Sequence, residues 1–257
     1  MSPEAKKKIY LINLDKSVDR LDKAKQLLSR VNAEFERVPA VYGADLGEET
    51  LRQWYDFDRR GVYYKELNAG EVGCYLSHRD VWQKILDEGL DYALVLEDDF
   101  RLEARELNSL FESVSEIKRP WYYIKIAAKP KAYDYISQSE VGAMTLVTYR
   151  NVPTRTCAQL VSREGARRLL AASETIRRPI DVDLQFWWEK EVWIDGLLPY
   201  AFAPDSGAES EIDKLDQRKL RRRRRLQGLF DKAAYQARSR WEAFKLKRRM
   251  QRFETGT

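Results

Sequence analysis

Residues 8–41 read KIYLINLDKSVDRLDKAKQLLSRVNAEFERVPAV, and their periodicity decides the fold class. The run KIYLINL at 8–14 is continuous, aliphatic and β-branched, as suits a strand buried on both faces. In SVDRLDKAKQLLSRV, Val18, Leu21, Ala24, Leu27, Leu28 and Val31 fall near a 3.6-residue period, and Ser17 stands where a helix N-cap belongs. FERVPAV at 35–41 reads as a second strand. Strand, helix, strand in this order is the signature of a parallel α/β sheet.

The pattern continues outward. In LNAGEVGCYLSHRDVWQKILDEG, Gly70 and Gly73 precede a helix whose Leu76, Val81, Trp82, Ile85 and Leu86 make one apolar face, and Gly89 ends it. A strand, YALVL, follows at 92–96. LNSLFESVSEI and REGARRLLAAS read as helices, YYIKIAA, MTLVTY and TCAQLVS as strands, and PIDVDLQFWWEKE as a helix opened by Pro179. The turn residues Pro204, Asp205, Ser206 and Gly207 separate this body from a C-terminal amphipathic helix built on Leu226, Leu229, Phe230, Ala233, Ala237, Trp241 and Phe244. The expected division is a domain over 1–217 and a basic helical tail over 218–257.

At 257 residues and 44% hydrophobic content, the chain can bury one substantial core. No apolar run is long enough to cross a bilayer, and the first ten residues lack the apolar stretch of a secretory signal, so the expectation is a cytoplasmic protein. The net charge of +5 conceals a division: residues 218–257 carry 15 Lys+Arg against 3 Asp+Glu, a net of +12, which leaves −7 on residues 1–217. The tail should meet something anionic, and the body must be read separately. Cys74 and Cys157 lie in no CxxC motif or Cys/His cluster with metal spacing and read as small reduced core residues.

The strand at 92–96 runs straight into Glu97, Asp98 and Asp99. At the C-terminal edge of a parallel strand, acids lie where open α/β sheets bind ligands. Two readings stand: one acid caps the ELNSLF helix, or the group holds a cation, with Glu97 and Asp99 on one strand face and Asp98 on the other. His78 is the only histidine, which excludes a multi-histidine metal centre and any Ser-His-Asp triad with another base. Ser77, its neighbour, points in a different helical direction. Gly70 and Gly73 complete neither a dinucleotide fingerprint nor a Walker loop. Asp181 and Asp183 form a second acidic pair, as helix-end caps or as catalytic groups. Trp187, Trp188 and Trp193 suit either a core or a sugar face.

Taken together, IYLINLDKSVDR, RVPAVYGAD, LNAGEVGCYLSHRDVW, LVLEDD, QLVSREGARRLL and RPIDVDL, in this order, resemble the family 25 glycosyltransferases, which include lipooligosaccharide and lipopolysaccharide galactosyltransferases and collagen galactosyltransferases. The resemblance covers most of residues 8–212. It implies a GT-A-like nucleotide-sugar-binding fold with a central, mostly parallel sheet. The implied reaction is inverting transfer of galactose from a UDP-sugar to a lipid-linked lipooligosaccharide or lipopolysaccharide core. Mn²⁺ or Mg²⁺ held by Asp99 and Glu97 would stabilise the departing diphosphate. It implies Asp181, then Asp183, as catalytic base, and Asn13, Leu14, Arg20, Tyr42, Asp45, Glu71, Ser77, His78 and Asp98 around the donor. Lys125 and Arg155 are further diphosphate candidates, on charge alone.

The arginine run at 221–225 and the following helix, over residues 218–252, suit an anionic membrane surface, which would place the enzyme on the cytoplasmic face of the inner membrane. A C-terminal helix packed on the domain with a solvated basic face fits the same pattern. Two other functions remain: a nucleic-acid-binding protein using the arginine run on a degenerate enzyme domain, and a glycoside hydrolase using paired carboxylates.

Overall fold

The computed structural model describes residues 5–55, 66–104, 107–129, 131–205 and 225–255, with the side chains of 233–253 in the last segment. The arginine run at 221–224, the tail start at 218–220, Ser206, Gly207, and the side chains of Arg225, Leu226, Leu229 and Phe230 lie outside the described residues.

The opening unit is β1 (Lys7–Asn13), α1 (Val18–Ser29) and β2 (Glu36–Pro39), with β1 and β2 parallel as expected. Ser17 occupies the N-cap position of α1, but its side chain makes no capping hydrogen bond. A 3-10 turn (Gly43–Asp45) and α2 (Glu48–Trp54) lead to α3 (Ala69–Asp87). The Asn68 side chain accepts from the Glu71 N–H and the Glu71 carboxylate accepts from the Asn68 N–H, a reciprocal cap that fixes where α3 begins. Gly89, at φ 59, ends it in the left-handed conformation.

Next come β3 (Tyr92–Glu97), β4 (Phe100–Leu102), α4 (Asn108–Ser115), β5 (Tyr123–Lys125), β6 (Tyr135–Val141), β7 (Met144–Tyr149), β8 (Ala158–Ser162) and α5 (Arg163–Ala172). The chain closes with α6 (Ile180–Asp183), a 3-10 segment (Leu184–Lys190), β9 (Ile194–Leu198), β10 (Phe202–Pro204) and α7 (Arg225–Thr255).

Eight strands form one sheet in the order β2-β1-β3-β8-β5-β9-β7-β6. Six point one way, and β7 and β8 run against them. This is the α/β architecture with a mostly parallel central sheet that the sequence predicts. Alternate residues serve opposite faces: Tyr10, Ile12, Ala93 and Val95 join Trp82 and Ile85 of α3 in one core, while Ile9, Leu11, Leu94 and Leu96 meet Leu28 of α1 and Leu110 of α4 in the other. Burial on both faces is why these strands read as unbroken apolar runs.

The single helix expected over 179–191 divides instead. Non-helical Phe186 (φ −91°, ψ 45°) and left-handed Glu191 (φ 51°) bend it around Trp187. Trp187 and Trp193 are buried, so the core alternative holds for both. The tail packs on the domain: Ala243, Leu246 and Met250 enter the core beside Trp187 and Trp193, and Tyr235 meets the rings of Phe186 and Trp188. The expected apolar stripe is corrected here, because Trp241 and Phe244 are 57% and 54% exposed and stack on each other at the surface.

Candidate active site

The chain turns at Asp98 and Asp99 between β3 and β4, and α4 begins only at Asn108 with no side-chain cap. The helix-cap reading of the acids is therefore overturned. Strand alternation does not sort them either, because the turn sets all three around one cavity. Ile12, Asn13 and Leu14 from the end of β1, Arg20 from α1, Tyr42 and Gly43 from the loop after β2, and Cys74, Ser77 and His78 from α3 line it with Glu97, Asp98 and Asp99.

Asp98 is anchored. Asn13 Nδ2 donates to it at 2.7 Å and Arg20 Nη1 at 3.2 Å, while Asn13 Oδ1 accepts from Arg37 Nε at 2.9 Å. Burial pushes the Asp98 carboxyl above its ordinary range, with Asn13 and Arg20 opposing. Glu97 is bound from the other side: its Oε1 accepts from Thr156 Oγ1 and lies 2.8 Å from His78 Nε2. A carboxylate oxygen only accepts, so His78 Nε2 carries the proton, leaving Nδ1 to accept from Gln159 Nε2 at 3.4 Å. Burial works against the Glu97 charge, but these donors and Lys125 outweigh it and hold its carboxyl below the usual range.

Asp99 differs. Its Oδ1 is buried without a hydrogen-bond partner among the described residues. Burial, then the Glu97 and Asp98 charges, push its carboxyl up to about 7. A buried carboxylate oxygen lacking a donor, beside two further carboxylates, fits a hard divalent cation with oxygen ligands.

α3 is brought against this cavity by close backbone contact. A Cβ on Gly73 would lie 2.6 Å from the Val41 carbonyl oxygen and 2.9 Å from the Gly43 nitrogen. Ser77 Oγ fastens the same junction, accepting from the Val41 N–H and donating to the Gly73 carbonyl, both at 2.8 Å. Tyr42 sits under Lys16 Nζ, 3.9 Å from the ring centre.

The structure does not bring every expected residue to the cavity wall. Asp45 is exposed in the 3-10 turn, and Glu71 is engaged in the α3 cap. Asp183 is buried in a charge cluster: Tyr75 Oη donates to Oδ2 at 2.7 Å, Lys190 Nζ lies 2.9 Å from Oδ2, and Arg178 Nη1 donates to Oδ1 at 2.9 Å. Asp181 is half-buried and accepts from the Arg155 N–H at 3.1 Å. Cys74 packs against the core as expected, but the reading that it joins no Cys/His cluster is corrected. It is a cavity residue one helical turn before His78, and its Sγ groups with ring-nitrogen and carboxylate ligand atoms of His78 and Glu97 within 4.8 Å. The i, i+4 spacing on α3 was the signal for it. Thr156, Gln159 and the backbone of Arg155 are the other additions, and nothing in their local sequence marks them.

Strand-end acids held by an asparagine, an arginine and a histidine define an anion- or cation-handling α/β site, and sequence similarity gives the class. The model of glycosyltransferase family 25 (LPS biosynthesis protein) matches residues 6–184, and the chain belongs to that family. Among curated proteins it is similar to procollagen galactosyltransferase 1-B of Xenopus laevis, 31% identical over 193 residues that cover 71% of this chain and 31% of that protein. It is also similar to procollagen galactosyltransferase 2 of Mus musculus, 30% identical over 71% of this chain and 30% of that protein. The chain thus spans about a third of the length of these relatives. Among solved structures, a glycosyltransferase involved in the glycosylation of the major capsid of PBCV-1 aligns over 65% of this chain and 64% of that one, with a TM-score of 0.35 and 12% identity.

Proposed function

We propose that this chain is an inverting glycosyltransferase that moves galactose from a UDP-sugar to a hydroxyl of a lipid-linked oligosaccharide acceptor of the lipooligosaccharide or lipopolysaccharide core type. Asp99 carries the reading: its buried Oδ1, without a hydrogen-bond partner among the described residues, lies at the strand end where the sheet opens. Asp99, with Glu97 beside it, would hold Mn²⁺ or Mg²⁺, which when bound offsets the charge that gathers on the diphosphate as the glycosidic bond breaks. Asn13 and Arg20 hold Asp98 in place and oppose the effect of burial on it, and His78 and Thr156 orient Glu97. Tyr42 and Leu14 supply wall for the nucleoside.

Inversion needs a base on the acceptor side. Asp181 suits it better than Asp183. One Asp181 oxygen accepts from the Arg155 N–H, and the other, without a hydrogen bond among the described residues, would face the acceptor hydroxyl, whereas both Asp183 oxygens are taken by cationic and hydroxyl partners. The acceptor's lipid suits the outer face of α7, where Trp241 and Phe244 stand among cations. That contact would set the enzyme on the cytoplasmic face of a membrane.

The test is incubation with UDP-galactose, Mn²⁺ and truncated lipooligosaccharide. Sugar transfer is expected from the wild-type protein, with a loss of at least about a hundred-fold in Asp99→Ala. No donor consumption by wild type, or undiminished transfer by Asp99→Ala, would sink the proposal.

A further inference from the structure

Arg155 stands in the left-handed region at φ 67, a conformation that side-chain-bearing residues rarely adopt and that persists only where surrounding contacts impose it. Those contacts are present on both sides of the residue. Its N–H donates to Asp181 Oδ2 at 3.1 Å, and its carbonyl accepts from Lys125 Nζ. Lys125 is 1% exposed, so its ammonium is committed to this carbonyl rather than to solvent.

The next two residues are fastened to the acidic strand end. Thr156 Oγ1 donates to Glu97, and the Cys157 carbonyl accepts from the Glu97 N–H at 2.9 Å. A three-residue backbone segment is thereby clamped between the acid Asp181, the buried Lys125 and Glu97. The Arg155 side chain, by contrast, is exposed, and its guanidinium makes no hydrogen bond or ion pair among the described residues. Asp98 takes Arg20 as its partner instead.

We propose that Arg155 is a phosphate-binding residue, held in strained backbone geometry by Asp181 and Lys125 so that its free guanidinium meets the diphosphate of the nucleotide-sugar donor at the cavity rim. A planar guanidinium can take two phosphate oxygens at once, and a clamped backbone removes the ordering cost of a flexible loop. Thr156, the next residue, bonds Glu97 of the cavity lining, which brings the Arg155 backbone to the acidic strand end. The identity of the ligand rests on the transferase reading; the anion site does not. The arrangement also couples the two halves of the reaction, since one Asp181 oxygen holds the residue that receives the leaving group.

Calorimetric titration with two probes, inorganic pyrophosphate and UDP, each with Mg²⁺, tests this in wild type, Arg155→Gly and Arg155→Lys. Glycine keeps the left-handed backbone without strain and removes the charge. Both probes are expected to bind Arg155→Gly about ten-fold or more weakly, with a thermal midpoint equal to or above wild type, and Arg155→Lys should be intermediate. If Arg155→Gly unfolds, Arg155→Asn, neutral and tolerant of this backbone region, is read in its place. Wild-type affinity for both probes in the neutral variant overturns the proposal, as does a wild-type protein that binds neither. Pyrophosphate binding that depends on Arg155, with no binding of UDP, supports the anion site and removes the uridine donor instead.

Discussion

Asp183 illustrates how a single carboxylate can be prominent in a sequence and serve the fold. It sits two residues from Asp181 in RPIDVDL, yet the first turn of α6 sends it inward to Tyr75, Arg178 and Lys190. Burial opposes its charge, and Lys190, Tyr75 and Arg178 overcome that opposition, so its carboxyl lies below the usual range. A carboxyl depressed in the folded state stabilises the protein at pH values above its unfolded pKa of about 3.9, and this contribution is lost as pH falls through the folded value. Asp183→Asn should cost about 3–5 kcal/mol at neutral pH by leaving Arg178 and Lys190 buried and undercompensated. In urea melts from pH 7 down to 2.5, the gap between variant and wild type should narrow below about pH 4; a constant gap would refute the assignment. Asp98 and Asp99 were legible in the sequence because they follow directly on an unbroken apolar strand, whereas Asn13, Arg20 and His78 were legible only through the family resemblance. Arg155 was visible only as a charge, since no propensity encodes a left-handed arginine. Cys74 was read only as core because its one-turn spacing from His78 gains meaning only when Glu97, from another element, stands beside both.

At the scale of elements, α3 is the part on which the site depends, and its seating is set by what is missing from its side chains. Gly73 lets its backbone reach Val41 and Gly43, and Ser77 ties the same contact. Gly73→Ala improves helix propensity by about 1 kcal/mol, but overpacking against backbone costs about 1–3 kcal/mol. Backbone cannot swing aside as a side chain can, so a net loss in thermal midpoint is expected, together with weaker UDP binding as the His78 side of the cavity is displaced. A variant more stable than wild type would show that the junction yields freely. The elements the sequence did not reveal share a physical cause. β4 and β10 are three residues each and form a two-stranded sheet joined to the rest by one bridge, Ala127 to Phe202, while β6 is an edge strand with mostly exposed side chains. β9 carries Asp195 and Gly196 in its interior. There the buried carboxylate is met by Arg119 and Thr148, a pairing that no local pattern announces.

Across the whole molecule, charge and burial are divided along α7. Ser239, Glu242, Ala243, Leu246 and Met250 face inward, and Arg249 lies 5.1 Å above the Trp193 ring. Trp241 and Phe244 face out, with Arg248 beside Phe244. Leu246→Ala should therefore destabilise the protein by about 2–5 kcal/mol. The double change Trp241→Ser and Phe244→Ser should move stability by no more than about 0.5 kcal/mol yet abolish co-sedimentation with phosphatidylglycerol vesicles. Retained vesicle binding in that variant, or wild-type binding to neutral phosphatidylcholine alone, would exclude the proposed surface. The same helix that turns cations outward also roofs Trp187, Trp188 and Trp193 with its inner side. A chain cut before residue 218 would thus bare an aromatic trench and bring copies together through it. Self-association on truncation, rather than simple loss of a basic appendage, is the behaviour this seating dictates.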